Sequence, residues 1–450
     1  MKKYLAICGA AVMLMTSCAK QLDILPEQEL EEGVALSSDA NVKKVLNGAY
    51  DAISSGSLYG GDLMLYSELL GAGDEIRWEG TFNEPREAIE KRFLTTNSDV
   101  RDIWLNGYRT INIANNILSA ISVVNAADQN RVQGEALFIR GSVYMELVKL
   151  FAKPYSAGNT AANLGLPIYT EPTREINEGS FKARNTLEET YTQIINDLTQ
   201  AETLLANAGK NAPYANKGAA AGQLARAYLL MGRYQEARDA ANRGISWAGS
   251  NGFAQTNSYD ALFNNSAPST EDLFTIIVNP QDGANNMHLY WSIPQFGGRD
   301  GDVSVQAAHL SLYSANDERR KLFYLDAQNV FRSGKWKLQY KNLPILRLSE
   351  LYLIRAEGNS RLGTAVGDSP ANDIKKIRER AGVAAIAAPT LDDILLERRL
   401  ELAHEGQRIH DIKRLKQTTD GFAYDADKLV MPIPQREINA NGALQQNPGY

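Results

Sequence analysis

The stretch AAAGQLARAYLLMGRYQEARDAANRGI, Ala219 to Ile245, decides the fold class. Leu224, Ala227, Tyr228 and Met231 recur at helical spacing on one face, and Tyr234, Ala237, Ala241 and Ile245 recur on the face of a second helix. Gly232 sits at the turn between them. Small residues at Ala227, Ala237 and Ala241 let the helices approach closely, and so short a turn keeps them antiparallel. A weaker copy of the pair follows in SELYLIRAEGNSRLG (349–363) and PANDIKKIRERAG (370–382).

The spacing of the first pair resembles a tetratricopeptide repeat, with Gly244 where a later alanine is usual. Outward from it the text is mostly helical. NVKKVLNGAYDAI (41–53) puts Val42, Val45, Leu46, Ala49 and Ile53 on one face. Trp104, Tyr108, Ile111, Asn115 and Leu118 form a stripe in DIWLNGYRTINIANNILSAI (102–121), and a helix through 130–151 ends before Pro154. Thr186 and Glu189 open another helix (186–208) with a capping-box pattern. Residues 54–85 and 281–303 are Gly-rich and loop-like, and DLFTIIVN (272–279) is a short strand bounded by Pro280. The expected fold is mostly α: tetratricopeptide-like helix pairs form a scaffold that carries long irregular loops and a few short strands. Its N-terminal helical part spans 39–260 and its C-terminal part 261–450, the two packed as one compact unit.

The first residues read as a targeting segment. Lys2 and Lys3 precede the apolar YLAICGAAVMLM (4–15), which has the length of a signal-peptide core. MTSC (15–18) is similar to a lipobox with Met15 in the usual leucine position, so 1–17 is expected to be removed and Cys18 lipidated. Residues 18–38, polar and acidic, then serve as a tether. The only cysteines are Cys8 and Cys18, which leaves no disulfide in the mature chain. Past residue 17 no apolar run reaches the roughly 20 residues of a membrane span, so contact with a membrane is through the lipid alone. A net charge of −6 without a basic run argues against nucleic acid as a partner.

Catalytic patterns are sparse. His404 and Glu405 begin like a zinc H-E-x-x-H, but Arg408 stands where the second histidine is needed and His410 lies off that face. No cysteine nucleophile, G-x-S-x-G, phosphate loop or dinucleotide fingerprint remains, and GGRDGD (297–302) lacks the ligand spacing of a calcium loop. No metal, cofactor or catalytic residue is assigned. The helix TLDDILLERRLELAHE (390–405) has charges on too many faces for all of them to reach water while its leucines pack. A partly buried structural ion network is expected from Glu397, Arg399, Glu401, Glu405 and Arg408.

Several long motifs in order carry a more specific resemblance: IWLNGYRTINIANNIL, GEALFIRGSVYMELVKLFAKPYS, LGLPIYTEP, LPILRLSELYLIRAEGNSRLG, LLERRLELAHEGQRIHDIKRL and the closing MPIPQREINANGALQQNPGY. Over essentially the whole mature chain the sequence resembles the RagB/SusD family of nutrient-binding lipoproteins from Bacteroidetes. The resemblance implies a non-catalytic protein, lipid-anchored in the outer membrane and exposed at the cell surface. It also implies capture of an oligosaccharide for a SusC-like TonB-dependent barrel, over which the lipoprotein sits as a lid. Surface exposure rests on the family, since AKQL rather than an acidic run follows Cys18.

Sugars offer flat C–H faces beside hydroxyls, so the ligand site is sought among loop aromatics with polar neighbours. Trp78, with Asp74 and Arg77, lies in one loop; Tyr290, Trp291 and Phe296, with Arg299 and Asp300, lie in the other. Trp104 and Trp247 fall on helical stripes and are expected in the core, and Trp336 at a half-buried strand position. Two other readings remain open. One is an interaction scaffold or transporter lid whose cargo is a non-glycan nutrient such as a peptide. The other is a hydrolase with scattered carboxylates.

Overall fold

A computed structural model describes residues 32–205, 213–281, 283 and 285–450. The expected signal peptide, Cys18 and most of the tether lie outside the described residues. A short α1 (Glu32–Ala35) precedes α2 (Asp39–Ser54), which is capped by the Ser38 hydroxyl and buries Val42, Leu46, Ala49 and Ile53. Then come α3 (Asp62–Leu70), β1 (Ile76–Trp78), α4 (Asn83–Ile89), α5 (Ser98–Ser119), α6 (Ala126–Phe151) and α7 (Leu187–Leu204). The pair α8 (Lys217–Leu230) and α9 (Tyr234–Ser250) follows, then α10 (Tyr259–Phe263), β2 (Asp272–Ile276), α11 (Asn286–Trp291), β3 (Val303–Val305) and α12 (Ala307–Leu310). The chain closes with β4 (Phe323–Leu325), β5 (Phe331–Ser333), β6 (Leu343–Arg347), α13 (Leu348–Leu362), α14 (Pro370–Arg380), α15 (Leu391–Glu401), α16 (Arg408–Arg414) and α17 (Gln435–Ala440).

Neighbouring helices pack in sequence from α5 through α9, and α9 packs on α13, so the two expected helix pairs are adjacent. Gly244 has a packing reason: a Cβ there would stand 2.7 Å from Leu351 of α13. Gly232 turns the pair with φ +72°, the left-handed conformation glycine adopts without strain. Thr186 and Glu189 form the reciprocal cap of α7. The main apolar core runs from Val42 to Ile433, with smaller clusters around Ile374 and around Phe263, and β1, β3, β5 and β4 form an antiparallel sheet in that order, separate from the β2–β6 pair.

The structure departs from the sequence reading in four stretches. Within the Gly-rich 54–85 lies α3, buried at every one of its residues. A helix surrounded by protein needs no polar face, so it shows no amphipathic period. Tyr290 and Trp291, expected in a loop, close α11, whose Asn285 cap accepts the His288 N–H. The third departure is at 402–407, where α15 stops at Glu401 and a turn holds His404 at φ +64°. Fixed partners hold that turn open: Trp336 Nε1 donates to His404 O at 3.1 Å, and Glu68 accepts the Gly406 and Gln407 N–H groups at 2.7 and 3.1 Å. Trp336 itself is fully buried in a single helical turn, Gly334–Trp336, and not half-buried in a strand.

Candidate functional site

The antiparallel pairing of β1 with β3, Ile76 opposite Val305 and Trp78 opposite Val303, joins the two loops in which ligand residues were sought. The Glu79 N–H extends the pairing by donating to Asp302 O at 2.7 Å. At this seam the Trp78 and Tyr290 rings meet edge to face at 5.5 Å, and Phe82 meets Tyr290 at 6.1 Å. The Arg299 guanidinium lies 3.9 Å over the Phe82 ring and donates to the Thr81 hydroxyl. Such cation–π stacking fixes a flexible side chain flat against its ring.

The seam sorts the predicted aromatics. Trp78 is only 6 % exposed, and its Nε1 donates to Phe82 O at 3.1 Å, so it supports the site from beneath instead of forming an open platform. Trp291, 0 % exposed, lies tilted by 36° against the His404 ring at 4.5 Å and belongs to the core. A ligand cannot touch it in this fold, which corrects the expectation that it binds cargo. Its place on the inward face of α11, with Met287 and His288, is the physical reason. Tyr290 is half-buried, and burial pushes its phenol up to about 12. Phe296 pairs with Tyr324 at 5.6 Å, with Lys337 Nζ 4.4 Å over its ring. Arg77 is exposed and, one residue from Trp78 in the strand, faces away from it; Asp74 and Asp300 are exposed in the flanking loops.

Sequence reasoning missed Phe82, the exposed ring of the group at 44 %. The available signal was its place in EGTFNEP, a glycine-bearing turn after a strand, where an apolar ring has little to pack on. Gly80 is required there, since a Cβ would stand 2.4 Å from the Asp302 carboxylate. Asp302 is the unusual polar group of the site. Neither of its carboxylate oxygens has a hydrogen-bond partner among the described residues, and Arg299 Nη1 is 3.6 Å away. Burial raises its carboxyl above the usual range.

The expected ion network separates into two. Glu397 and Glu401, one helical turn apart, face inward together. Glu401 meets Arg380 at 2.6 Å, Arg347 at 2.9 Å and Arg319 at 3.6 Å. Glu397 bridges Arg319 and Arg378 at 2.6 and 2.7 Å, and Glu405 bridges Lys335 and Arg347 at 2.7 and 2.8 Å. Arg399 and Arg408 belong elsewhere. Arg399 leaves α15 on a different face and Arg408 follows the 402–407 turn, so both reach Glu75. Burial would raise the Glu75 carboxyl, but His309 and the two arginines hold it down at about 2.

Among the described residues no three His, Cys, Asp or Glu side chains converge as metal ligands, and no helix is long and apolar enough to cross a membrane. The described residues thus form a helical-repeat scaffold that carries a partly exposed aromatic and arginine seam. Comparison with known proteins agrees. A family model described as starch-binding and associating with the outer membrane matches residues 20–229, and one described as the SusD family matches 320–430. A SusD-like protein of Formosa agariphila is 26 % identical, with 100 % of each chain covered. The starch-binding protein SusD of Bacteroides thetaiotaomicron is 30 % identical over 171 residues, 31 % of this chain and 30 % of that one. A crystal structure of a candidate sugar-binding protein from Bacteroides vulgatus superposes with a TM-score of 0.83 at 28 % identity, covering 92 % of this chain and 99 % of the other. A SusD superfamily structure from B. thetaiotaomicron shares the fold at a TM-score of 0.79 and 24 % identity, over 91 % of this chain and 100 % of that one. The chain belongs to the SusD family.

Proposed function

We propose that the protein captures an oligosaccharide at the Phe82–Tyr290–Arg299 seam and passes it, without turnover, to a SusC-like TonB-dependent barrel. In this reading it acts at the cell surface of the outer membrane, held by a lipid on Cys18. The observation that carries it is the seam itself: an exposed ring, a half-buried phenol and a flat guanidinium, held by strand pairing between separate loops. Sugars need such rings for their C–H faces and polar groups for their hydroxyls. Arg299, flat against Phe82, is the polar group at the open side of the seam, and Asp302 is buried 3.6 Å from its guanidinium. An open seam suits a dissociation constant of order µM to mM, about −8 to −4 kcal/mol, weak enough for release to a transporter. Trp78 reports on occupancy, because its ring touches Tyr290. Saturable change in its fluorescence on adding an oligosaccharide supports capture, and no change with any sugar, in a chain whose Phe82 is accessible, opposes it.

A second reading, an interaction scaffold with a non-glycan cargo such as a peptide, is favoured by a different feature. A groove of about 350 Å³ lies between α5, the 167–181 segment and α17, and Ile176 at its rim is 83 % exposed. Peptide binding abolished by Ile176→Asp but retained in Phe82→Ala selects this reading over the first.

A further inference from the structure

A cavity of about 210 Å³ opens between the turn after α3, the outer face of α15 and the start of α16. Trp78, Phe82, Tyr290 and Arg299 take no part in its lining. On one side Arg399 and Arg408 share the single carboxylate of Glu75, with Arg408 Nε 3.2 Å from it. Beyond that contact the Arg408 side chain has no hydrogen bond among the described residues, although it is 22 % exposed. Arg399 is 30 % exposed and gives one nitrogen to Glu75. Two guanidiniums on one carboxylate leave an excess of positive charge with donors facing open space.

The other charged groups do not remove this excess. Arg398 is matched by Asp411 and Glu350, and Arg414 by Asp411 and Glu357. Glu68, across the cavity, already accepts two backbone N–H groups, and burial lifts its carboxyl to about 7. Asp392 is the opposing charge at the exposed rim. Arg408 is itself held below its usual range by burial, a cost that Glu75, Asp411 and Glu68 only partly offset while Arg399 adds to it. Leu395, Leu396 and Leu402 give the cavity an apolar side, and Gln407, Gln417, His309 and His404 complete the polar part of its lining.

A planar guanidinium fork matches the geometry of a carboxylate and holds it more strongly than a neutral acceptor. Since one water occupies about 30 Å³ of liquid, the cavity has room for a ring-sized molecule. We infer that this cavity is a second ligand site, which takes a small carboxylate with its charged end on Arg399 and Arg408 and its body against Leu395, Leu396 and Leu402. The inference is independent of the aromatic seam.

The test is ligand-observed NMR titration of the chain with sodium glucuronate, with its neutral methyl ester, glucose and inorganic phosphate run beside it. Expected is saturable glucuronate binding, weakened at least tenfold by Arg399→Gln or Arg408→Gln and by raised salt, and unchanged in Phe82→Ala. Leu396→Trp, at an exposed rim position that carries no ion pair, fills the mouth of the cavity and abolishes binding even if the arginine variants fold poorly. No glucuronate binding, binding that all three cavity variants leave intact, an equal response to the ester, or phosphate binding in place of glucuronate overturns the inference. Loss of binding in Phe82→Ala with the cavity variants unaffected also overturns it and assigns the sugar to the seam.

Discussion

Replacing Glu401 by glutamine removes one negative charge from a cluster closed on itself. Asp317, Glu271, Glu397, Glu401 and Glu405 face Arg319, Arg347, Arg378, Arg380 and Lys335, five charges of each sign. Glu401 stands at its centre, 0 % exposed, and also accepts the Tyr259 hydroxyl at 2.7 Å. Burial alone would raise its carboxyl, but Arg380, Arg347 and Arg319 hold it well below the usual range. Glutamine keeps the volume and leaves one buried positive charge unmatched. Breaking a buried ion pair from one side destabilises by about 3–5 kcal/mol. Unfolding entropy near 2.1 cal/mol/K per residue gives a chain of this length about 0.9 kcal/mol/K, so the melting temperature should fall by about 3–5 °C. Differential scanning calorimetry at pH 7 measures it. The double variant Glu401→Gln/Arg380→Gln, neutral again, should fall by less than the sum of the single changes. A Glu401→Gln protein melting within 1 °C of the parent, or strictly additive singles, would refute the reasoning.

Three further outcomes follow from other buried charges and from the anchor. Lys413 is buried, donates to Lys149 O at 3.4 Å and forms no ion pair among the described residues; burial, Lys153 and Lys149 lower it from 10.5 to about 7. Its charge therefore opposes folding below about pH 7, and that opposition fades as pH rises toward 10.5. At about 1.4 kcal/mol per tenfold the limit is about 5 kcal/mol, so Lys413→Met should raise the melting temperature at pH 7, with the gap from the parent closing toward pH 10. Glu75 has the opposite sign: held at about 2 against an ordinary 4.5, it contributes fully above pH 4.5, and its contribution is lost as pH falls through 2. Melting curves of the parent and Glu75→Gln should differ at pH 7 and converge by pH 2, read by circular dichroism. Cys18→Ala should move the protein from the membrane fraction to the soluble fraction; unchanged fractionation and electrophoretic mobility would show that no lipid is attached there.

The helix pairs were legible because their apolar residues recur on one face and their turns carry glycine, as at Gly232. Part of what stayed hidden has one physical origin: a segment enclosed on all sides loses the periodic contrast that reveals it. α3 looked like a loop because all its residues are buried, and Trp291 looked like a ligand residue because nothing in YWSIP distinguishes an enclosed ring from an exposed one. The ion-rich helix was legible as a network, but not its partition. That depends on where α15 stops, and the stop is set by partners distant in sequence, Trp336 and Glu68. The two loops named from the sequence do meet, through β1 and β3, and the tryptophans in them drew attention away from Phe82. Strand pairing of β1 with β3, spanning more than two hundred positions, decides which rings meet. No local pattern encodes that.

The most direct test of the capture role is a calorimetric titration of residues 19–450 with a panel of oligosaccharides, run on the parent, Phe82→Ala and Tyr290→Ala. The account predicts µM to mM binding of at least one oligosaccharide by the parent. Either variant should weaken it at least tenfold, about 1.4 kcal/mol, while its melting temperature stays near the parent's. Oligosaccharide binding that both variants retain, or a correctly folded parent that gives no heat with any member of the panel, would contradict it.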